Sequence, residues 1–209
     1  MNIIRSIVFN LLFFIGSAFW SIVLLWSLVL PAKTCIFIIE NTYMRYINFI
    51  EKYVMGITLK IEGIENIPAD GKFIIAAKHQ SAFETLNIPF MKEFHYPAIV
   101  LKKSLKYIPI WGLYTIAMEQ IAIDRGSVTV AMRSIIRGAK KSIAKNRPLI
   151  IFPQGTRTAI GAKVPYRSGI AKIYKETNVS IIPLALNSGL VWGKNSFIKK
   201  AGIVTYKFM

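Results

Sequence analysis

Residues 7–30 form a run of 24 positions that contains no charged side chain. As a single α-helix this run would be ~36 Å long, which exceeds the hydrocarbon core of a bilayer at about 30 Å. Its length, and the lack of a small-residue cleavage site before Pro31, argue against a cleavable signal peptide. We therefore predict a membrane helix that spans the bilayer or re-enters it. Arg5 and Lys33 flank its two ends, so the local charges leave its orientation open.

Residues 35–57 mix apolar side chains with charged ones such as Glu40 and Glu51. This mixture predicts an amphipathic second helix that lies on the first helix or at the membrane interface. We expect residues 1–57 to form a membrane-associated pair of helices. The one cysteine, Cys35, excludes an internal disulfide, and its apolar neighbours predict a packed thiol.

From residue 58 onward, short apolar runs alternate with segments that have the period of a helix. The apolar runs predict strands at residues 59–62, 73–77, 98–101, 121–123, 148–152, 179–186 and 203–208. Helices are predicted from Ser81 to Pro89, at residues 127–145 and at residues 168–177. This alternation predicts an α/β body with a mostly parallel sheet flanked by helices. We expect residues 58–209 to be one catalytic domain.

The chain carries 27 Lys and Arg residues against 10 Asp and Glu, which gives a formal net charge of +17. Such a charge attracts nucleic acid, anionic lipid headgroups or phosphorylated substrates. The apolar content of 54% favours the lipid partners. With two histidines, His79 and His95, and no Cys/His cluster, we expect neither a metal nor a cofactor. We expect His95, which has aromatic neighbours, to be packed or interfacial.

A histidine follows the strand predicted at residues 73–77 after one intervening lysine, and a carboxylate lies five positions beyond the histidine. Imidazole has an unperturbed pKa of about 6.5, so His79 is suited to accept a proton near neutral pH. A carboxylate at its second ring nitrogen would fix the tautomer and stabilise the imidazolium. Two residues five apart on one helix lie roughly 140° apart around its axis and do not meet. We therefore place His79 in the turn before the helix and Glu84 in the first helical turn.

The same stretch has a second interpretation, because residues 81–84 fit the S-x-x-E capping box. In that interpretation Glu84 binds the backbone amide of Ser81. The two interpretations are compatible, since a cap would also hold Glu84 beside the entering turn. Ser81 as a covalent nucleophile is a further alternative, but the chain has no G-x-S-x-G elbow.

Basic and polar side chains also follow other predicted strands, at Lys102, Lys103, Arg125 and residues 154–157. In open α/β sheets, ligands bind at the carboxyl ends of the strands. Gly155 allows close backbone approach, Thr156 offers a hydroxyl, and Arg157 provides a planar donor fork that suits phosphate. The alternative for the basic side chains is an ordinary solvated surface. The proline bend at Ile182 and Pro183 predicts an apolar wall, with edge-strand packing as its alternative.

Four blocks in this order and spacing resemble the membrane-associated glycerolipid acyltransferases, the 1-acyl-sn-glycerol-3-phosphate (lysophosphatidic acid) acyltransferase family. The blocks are His79-x4-Glu84, Lys102 through Ile123-Asp-Arg125, Phe152-Pro-Gln-Gly-Thr-Arg157 and Ile182-Pro-Leu-Ala185. Glu84 stands where the family usually has Asp. Gln154 stands where it usually has Glu, so no proton transfer is assigned to that position. Relatives often continue beyond the point that corresponds to Met209, so the chain is either a short member or a truncated one.

The resemblance implies the glycerolipid acyltransferase fold, with an N-terminal pair of membrane helices before the sheet. It implies that His79 and Glu84 move a fatty acyl group from a thioester to the sn-2 hydroxyl of 1-acyl-sn-glycerol 3-phosphate. The product would be phosphatidic acid, for phospholipid biosynthesis. The donor would be a thioester of acyl carrier protein or coenzyme A. The implied phosphate-binding residues are Arg125, Arg157, Gly155, Thr156, Lys102 and Lys103, with Ile182 and Pro183 beside the acyl chain.

We expect a bacterial inner-membrane protein whose catalytic domain lies on the cytoplasmic face, in contact with membrane lipids and with no nucleic acid partner. Three alternatives stay open. The first is an acyltransferase of the same family that uses another lyso-lipid acceptor. The second is an inactive relative that binds anionic lipid or scaffolds a membrane complex. The third is a membrane-tethered nucleic-acid binder, suggested by the net charge and by the basic helix predicted at residues 127–145.

Overall fold

The computed structural model describes residues 2–94 and 96–209, so the expectation for His95 lies outside the described residues. Within them, the strands are β1 Ile57–Glu62, β2 Phe73–Ala77, β3 Ala98–Lys102, β4 Ile121–Ile123, β5 Leu149–Ile151, β6 Ser180–Leu186 and β7 Gly202–Phe208. They form one sheet in the order β1-β7-β6-β2-β5-β3-β4. Neighbouring strands run parallel except β6 and β7, which are antiparallel. The predicted α/β body with a mostly parallel sheet is therefore confirmed.

The described helices are α1 Asn2–Val23, α2 Ala32–Asn41, α3 Tyr43–Phe49, α4 Phe83–Asn87, α5 Trp111–Ala117, α6 Val128–Ala144 and α7 Gly169–Thr177. Ser127 caps α6 by accepting a hydrogen bond from the Val130 backbone N–H at 3.4 Å, as a serine at this position favours. The helix α5 has only seven residues and was not predicted, because so short an apolar segment carries little periodic signal.

The sheet separates two apolar cores, and adjacent residues of β2 show the division, because side chains alternate between the faces of a strand. Ile75 belongs to the core beneath the N-terminal helices, α4 and α5, which we call the front face. Ile74 belongs to the core beneath α6 and α7, which we call the back face. Both central strands, β2 and β5, are almost entirely buried, as is typical of parallel strands covered on both sides.

The first helix begins earlier and ends sooner than the predicted run of residues 7–30. It ends at Val23, and a 3-10 turn follows at Leu25–Val29. Within the described residues, α1 is the one helix that is long and apolar enough to cross a membrane. Its outward face exposes a row of large apolar side chains, among them Ile4, Phe14, Ile15, Phe19 and Ile22. This exposed apolar helix indicates membrane association.

The predicted second membrane helix does not occur as one helix, so the expected pair reduces to one candidate. Residues 32–55 fold as α2, α3 and a π-helical segment, Ile50–Met55. The break falls at Thr42, whose backbone leaves the helical region (φ −122°, ψ −82°) while its hydroxyl donates to the Ile38 carbonyl at 2.6 Å. These segments lie against α1, where the Tyr46 hydroxyl donates to the Leu12 carbonyl at 2.6 Å.

Candidate active site

His79 and Glu84 meet as the sequence predicted, in the turn between β2 and α4. His79 Nδ1 lies 2.9 Å from Glu84 Oε1. Because an ionised carboxylate only accepts hydrogen bonds, Nδ1 carries the hydrogen and Nε2 is left with a lone pair. The His79 side chain is 12% exposed, whereas the Glu84 side chain is fully buried. The arrangement is that of a general base oriented by a carboxylate.

The capping interpretation is also satisfied, by the same carboxylate oxygen. Glu84 Oε1 accepts hydrogen bonds from the backbone N–H groups of Gln80 and Ser81, both at 2.6 Å. The Ser81 hydroxyl accepts a hydrogen bond from the Phe83 backbone N–H at 3.0 Å and is buried. Ser81 is therefore part of the turn that positions Glu84.

The second carboxylate oxygen has a partner that sequence reasoning missed. The Ser188 hydroxyl donates to Glu84 Oε2 at 2.6 Å, and both side chains are fully buried. Buried carboxylates need several donors, because a charge removed from water is costly unless it is hydrogen-bonded. Ser188 follows β6, which pairs in parallel with β2, so the same rule that found His79, a polar residue after a strand, would have found it.

The loop after β5 holds the backbone of His79 in place. The Gln154 side-chain oxygen accepts a hydrogen bond from the His79 backbone N–H at 2.9 Å. The Thr158 backbone N–H donates to the His79 carbonyl at 2.8 Å. The ring of Phe152 stacks on the imidazole, with centroids 4.1 Å apart. Gln154 is itself buried, so this position acts on the backbone of the histidine.

The candidate phosphate-binding residues follow neighbouring strands along the same sheet edge as His79. The strands β2, β5, β3 and β4 lie side by side and parallel, so their carboxyl ends share one edge. Lys102 pairs in register with Ile123, which places Arg125 two residues beyond the same level. Lys102, Lys103 and Arg125 are exposed. These three side chains and Arg157 are all cationic donors that cannot pair with one another; what they share is this edge of the sheet.

The turn at Gly155 has the left-handed backbone that glycine favours, with φ of +71°. A Cβ atom at this position would lie 3.1 Å from the Nε atom of Arg167, which is an exposed arginine outside the predicted set. Thr156 is exposed and Arg157 is half-buried beside it. The turn therefore brings Arg157 and Arg167 to the same loop, where sequence analysis had assigned only the first.

An apolar cavity of about 310 Å³ lies on the front face, between α1, α4 and α5. Its size is within the roughly 300–1,000 Å³ typical of small-molecule sites. Ala82 and Thr85, in the turn and helix that follow His79, line it. Arg157 is the one charged side chain among the described residues that line it. The cavity therefore combines an apolar chamber with a guanidinium group, next to residues that follow His79 in the chain, while His79 itself is not among its lining residues.

Ile182 and Pro183, the predicted acyl-chain wall, do not line this cavity. Ile182 is buried in the front-face core, in register with Ile75 of β2, while Pro183 is exposed. The residues that do line it come from distant parts of the chain. Most are large apolar side chains, among them Phe13, Trp20, Leu24, Ile39, Leu86, Phe90, Leu101, Leu105, Ile108 and Trp111.

A second buried acid, Glu51, lies on the π-helical segment and contacts α4, the helix that carries Glu84. Both oxygens of Glu51 accept from the Asn87 side-chain amide at 3.3 Å. Burial raises the pKa of Glu51 to about 8, so this carboxyl is largely protonated at neutral pH. The nearby Tyr206 hydroxyl is buried and has no hydrogen-bond partner within the described residues; burial, with the charges of Glu84 and Glu51, raises its pKa.

The chain is similar to curated proteins along nearly all of its length. The 1-acyl-sn-glycerol-3-phosphate acyltransferase of Pseudomonas aeruginosa is 28% identical over 203 residues, which cover 96% of this chain and 77% of that protein. The enzyme of the same name from Cocos nucifera is 27% identical over 100% of this chain and 66% of its own length. The chain thus spans about two thirds to three quarters of the length of these relatives.

The fold matches that of a solved structure, the 1-acyl-sn-glycerophosphate acyltransferase of Thermotoga maritima. The TM-score is 0.77, the identity is 22%, and the match covers 100% of this chain and 83% of that one. At this identity the likeness establishes the fold. In addition, the Acyltransferase family model matches residues 58–187, which contain the histidine–carboxylate pair and the loop that holds it. The chain belongs to the acyltransferase family.

Proposed function

We propose that this protein transfers a fatty acyl group from a thioester to the sn-2 hydroxyl of 1-acyl-sn-glycerol 3-phosphate and so forms phosphatidic acid. The observation that carries the proposal is the His79–Glu84 hydrogen bond of 2.9 Å, in a turn whose following residues Ala82 and Thr85 line the apolar cavity. The activity named for the relatives from Pseudomonas aeruginosa and Cocos nucifera supports the choice of acceptor.

In the proposed reaction, His79 Nε2 removes the proton from the acceptor hydroxyl as its oxygen attacks the thioester carbonyl carbon. Glu84 stabilises the imidazolium that forms. The tetrahedral intermediate then collapses, the carbon–sulfur bond breaks, and His79 returns the proton to the thiolate. Acid–base transfer by a positioned group contributes roughly 10²–10⁴-fold to such a step. No covalent acyl-enzyme is required, and Ser81 is retained as a turn residue because its hydroxyl is buried.

We assign the acceptor phosphate to the basic edge of the sheet. Arg157 is the principal ligand, because it lines the cavity and directly precedes Thr158, whose backbone N–H donates to the His79 carbonyl at 2.8 Å. Arg125, Lys102 and Lys103 line the same edge farther along, and the Gly155–Thr156 turn supplies backbone N–H groups and a hydroxyl. The acyl chain occupies the apolar cavity, and Ile182 and Pro183 contribute to the structure around it rather than to its lining.

We further propose that residues 1–57 are the membrane-associated segment and residues 58–209 the acyltransferase domain. The exposed apolar face of α1 supports this division. The catalytic domain would lie on the cytoplasmic face of a bacterial inner membrane. There it would meet its donor, a thioester of acyl carrier protein or coenzyme A, and its membrane-borne lyso-phospholipid acceptor.

One experiment tests the function as a whole. Purified protein in detergent is offered palmitoyl thioesters of coenzyme A and of acyl carrier protein, each with a panel of lyso-phospholipids that differ in headgroup, and the products are resolved by mass. We expect phosphatidic acid from 1-acyl-sn-glycerol 3-phosphate, at a rate well above that with the other acceptors. A preference for another lyso-lipid would show that the protein is an acyltransferase for that acceptor. The absence of product in every combination of donor and acceptor would contradict the proposal.

A further inference from the structure

Four apolar side chains protrude from residues 107–113, in the connection between β3 and β4. Tyr107 is 73% exposed, Leu113 is 50% exposed, and Ile108 and Trp111 are 44% and 36% exposed. We call these four residues the apolar lip. Soluble surfaces rarely present so many neighbouring large apolar groups without a partner, so the lip requires an explanation.

The backbone of the lip is held in a strained conformation. The Trp111 backbone N–H donates to the Pro109 carbonyl at 2.6 Å, which closes a three-residue turn around Ile110 with φ of 61° and ψ of −55°. This γ-turn geometry is rare, and a β-branched residue at positive φ is an outlier. Two residues after Ile110, a Cβ atom at Gly112 would collide with the Lys106 carbonyl. Strained backbone of this kind concentrates at ligand clamps and functional sites.

The lip lies at an opening of the apolar cavity. Ile108 and Trp111 both line the cavity and are exposed on the surface, so these two side chains extend from the cavity lining to the protein surface. Tyr114, on the same short helix, donates from its hydroxyl to the Ser21 carbonyl at 2.8 Å. The lip is therefore attached to the carboxyl end of α1.

The apolar surface continues from the lip onto the N-terminal helix. Ile22, Trp26 and Val29 at the end of α1 and in the following 3-10 turn are 58%, 58% and 87% exposed. The Tyr114–Ser21 hydrogen bond and direct contacts between α5 and the 3-10 turn connect these residues to the lip. The surface that indicates membrane association thus extends well beyond the one helix able to cross a bilayer.

The charges around the lip select the partner. Between Glu93 and Glu119, of which Glu119 is ion-paired with Lys145 and Arg147, the chain contains Lys102, Lys103 and Lys106 and no acidic residue. Exposed aromatic and aliphatic side chains beside lysines are typical of surfaces that sit in the headgroup region of anionic membranes. A protein partner that is acidic or apolar would have no use for a neighbouring cavity of lipid size. A bilayer, in contrast, would supply the lipid that occupies this cavity.

We propose that the apolar lip is a second bilayer-contact surface, which inserts into the headgroup region of an anionic membrane and opens the cavity at the level of the acyl chains. In this arrangement α1 attaches the protein, and the lip sets the orientation of the catalytic domain. The inference rests on the proposed function only in taking the cavity to hold an acyl chain. Membrane contact at the lip does not depend on catalysis.

The depth of the lip can be measured directly in the full chain. In a Cys35→Ala background, Tyr107→Cys is labelled with an environment-sensitive fluorophore and reconstituted into vesicles of anionic and zwitterionic phospholipid with brominated acyl chains. Tyr174→Cys on α7 is the matched control, since Tyr174 is a 48% exposed tyrosine on the back face. We expect quenching at residue 107 to exceed that at residue 174 several-fold. Equal quenching at the two positions would overturn the proposal.

A second measurement separates the lip from the chemistry. Tyr107→Asp and Leu113→Asp change exposed residues that do not line the cavity. We expect each to lower acyl transfer to an acceptor held in anionic vesicles by roughly threefold to tenfold, with Tyr174→Asp as control. Transfer to a short-chain, water-soluble acceptor in detergent should be unchanged. Unchanged rates in vesicles would contradict the lip proposal, whereas absence of acyl transfer in detergent by the wild type would contradict the proposed function and leave the quenching result intact.

Discussion

The Ser188 hydroxyl donates a 2.6 Å hydrogen bond to Glu84 Oε2, although the two residues are 104 positions apart. Glu84 thereby receives side-chain hydrogen bonds on both oxygens, from Ser188 on one and from His79 on the other. The carboxylate has no freedom to turn away from the imidazole. The orientation of the proposed base thus depends on the return of the chain through β6 to the edge of β2.

Removal of the Ser188 hydroxyl should lower the rate without changing substrate affinity. A hydrogen bond to a charged group is worth about 1.5–3 kcal/mol. The Ser188→Ala variant should therefore have a lower Tm than the wild type, and its kcat should be lower by roughly tenfold or more. The KM values for both substrates should stay close to those of the wild type, because Ser188 is fully buried and is not among the residues that line the cavity. Ser134→Ala on α6 is the matched control. A Ser188→Ala enzyme with wild-type kcat would show that the second carboxylate oxygen needs no partner.

Gln154 stands where the family usually has Glu, and we expect the substitution Gln154→Glu to be tolerated. In Gln154→Glu, a carboxylate oxygen can still accept from the His79 backbone N–H, and the Thr158 hydroxyl can rotate to donate to the other oxygen. Activity should remain within a few-fold of wild type. Gln154→Leu, which removes the acceptor, should lose roughly tenfold or more, since an unpaired buried N–H costs ~1–3 kcal/mol. If the Glu variant is as impaired as the Leu variant, neutrality at this position matters for the reaction.

Loss of the guanidinium at the cavity should affect one substrate. Arg157→Ala removes a charge-assisted contact to phosphate, worth about 1.5–3 kcal/mol, so KM for the lyso-phospholipid should rise roughly tenfold to a hundredfold. KM for the thioester should change little. Steady-state kinetics with each substrate varied in turn provide the measurement, with Arg133→Ala on the back face as control. An equal rise in the KM values of both substrates would show that Arg157 does not bind the acceptor phosphate specifically.

The buried acid Glu51 should make stability depend on pH. Burial raises its pKa from the ordinary 4.5 to about 8, so between these values the folded state retains a proton that the unfolded state has lost. Stability should therefore fall as pH rises from about 4.5 to 8, by at most roughly 4–5 kcal/mol. Glu51→Gln removes this titration.

Thermal melts of the wild type and Glu51→Gln in detergent at several pH values provide the test. The two proteins should have similar Tm values near pH 5, and the variant should have the higher Tm at pH 8. Asn87→Ala is a useful companion, because it removes the amide that hydrogen-bonds the carboxyl. A constant difference in Tm between wild type and Glu51→Gln at every pH would show that Glu51 does not titrate in this range.

The sequence predicted those parts of the site that are local. His79 and Glu84 are five residues apart, and their spacing alone required a turn followed by a helix. The partners of this pair depend on strand order, which spacing does not reveal. Ser188 and Thr158 reach the pair only because β6 and β5 lie on either side of β2.

The departures in the N-terminal segment have a similar cause. The break falls in the polar run Glu40-Asn41-Thr42, but an amphipathic helix also carries polar residues on its exposed face, so this run alone did not mark the break between α2 and α3. The cavity was not predicted because its lining is assembled from α1, α2, α4 and the connection after β3. The wall at Ile182 and Pro183 was predicted from the proline bend, and its place beside the acyl chain from the resemblance to the family, while the cavity follows from the packing of the front face.

The central claim is that His79 acts as the general base, and its most direct test is the acyl-transfer rate of His79→Ala. Single-turnover transfer from a palmitoyl thioester to 1-acyl-sn-glycerol 3-phosphate is measured for both proteins in the same detergent, beside their melting curves. We predict a loss of roughly a hundredfold or more, with phosphate-acceptor binding retained and a cooperative melt preserved. A folded His79→Ala protein that transfers the acyl group at the wild-type rate would contradict the account.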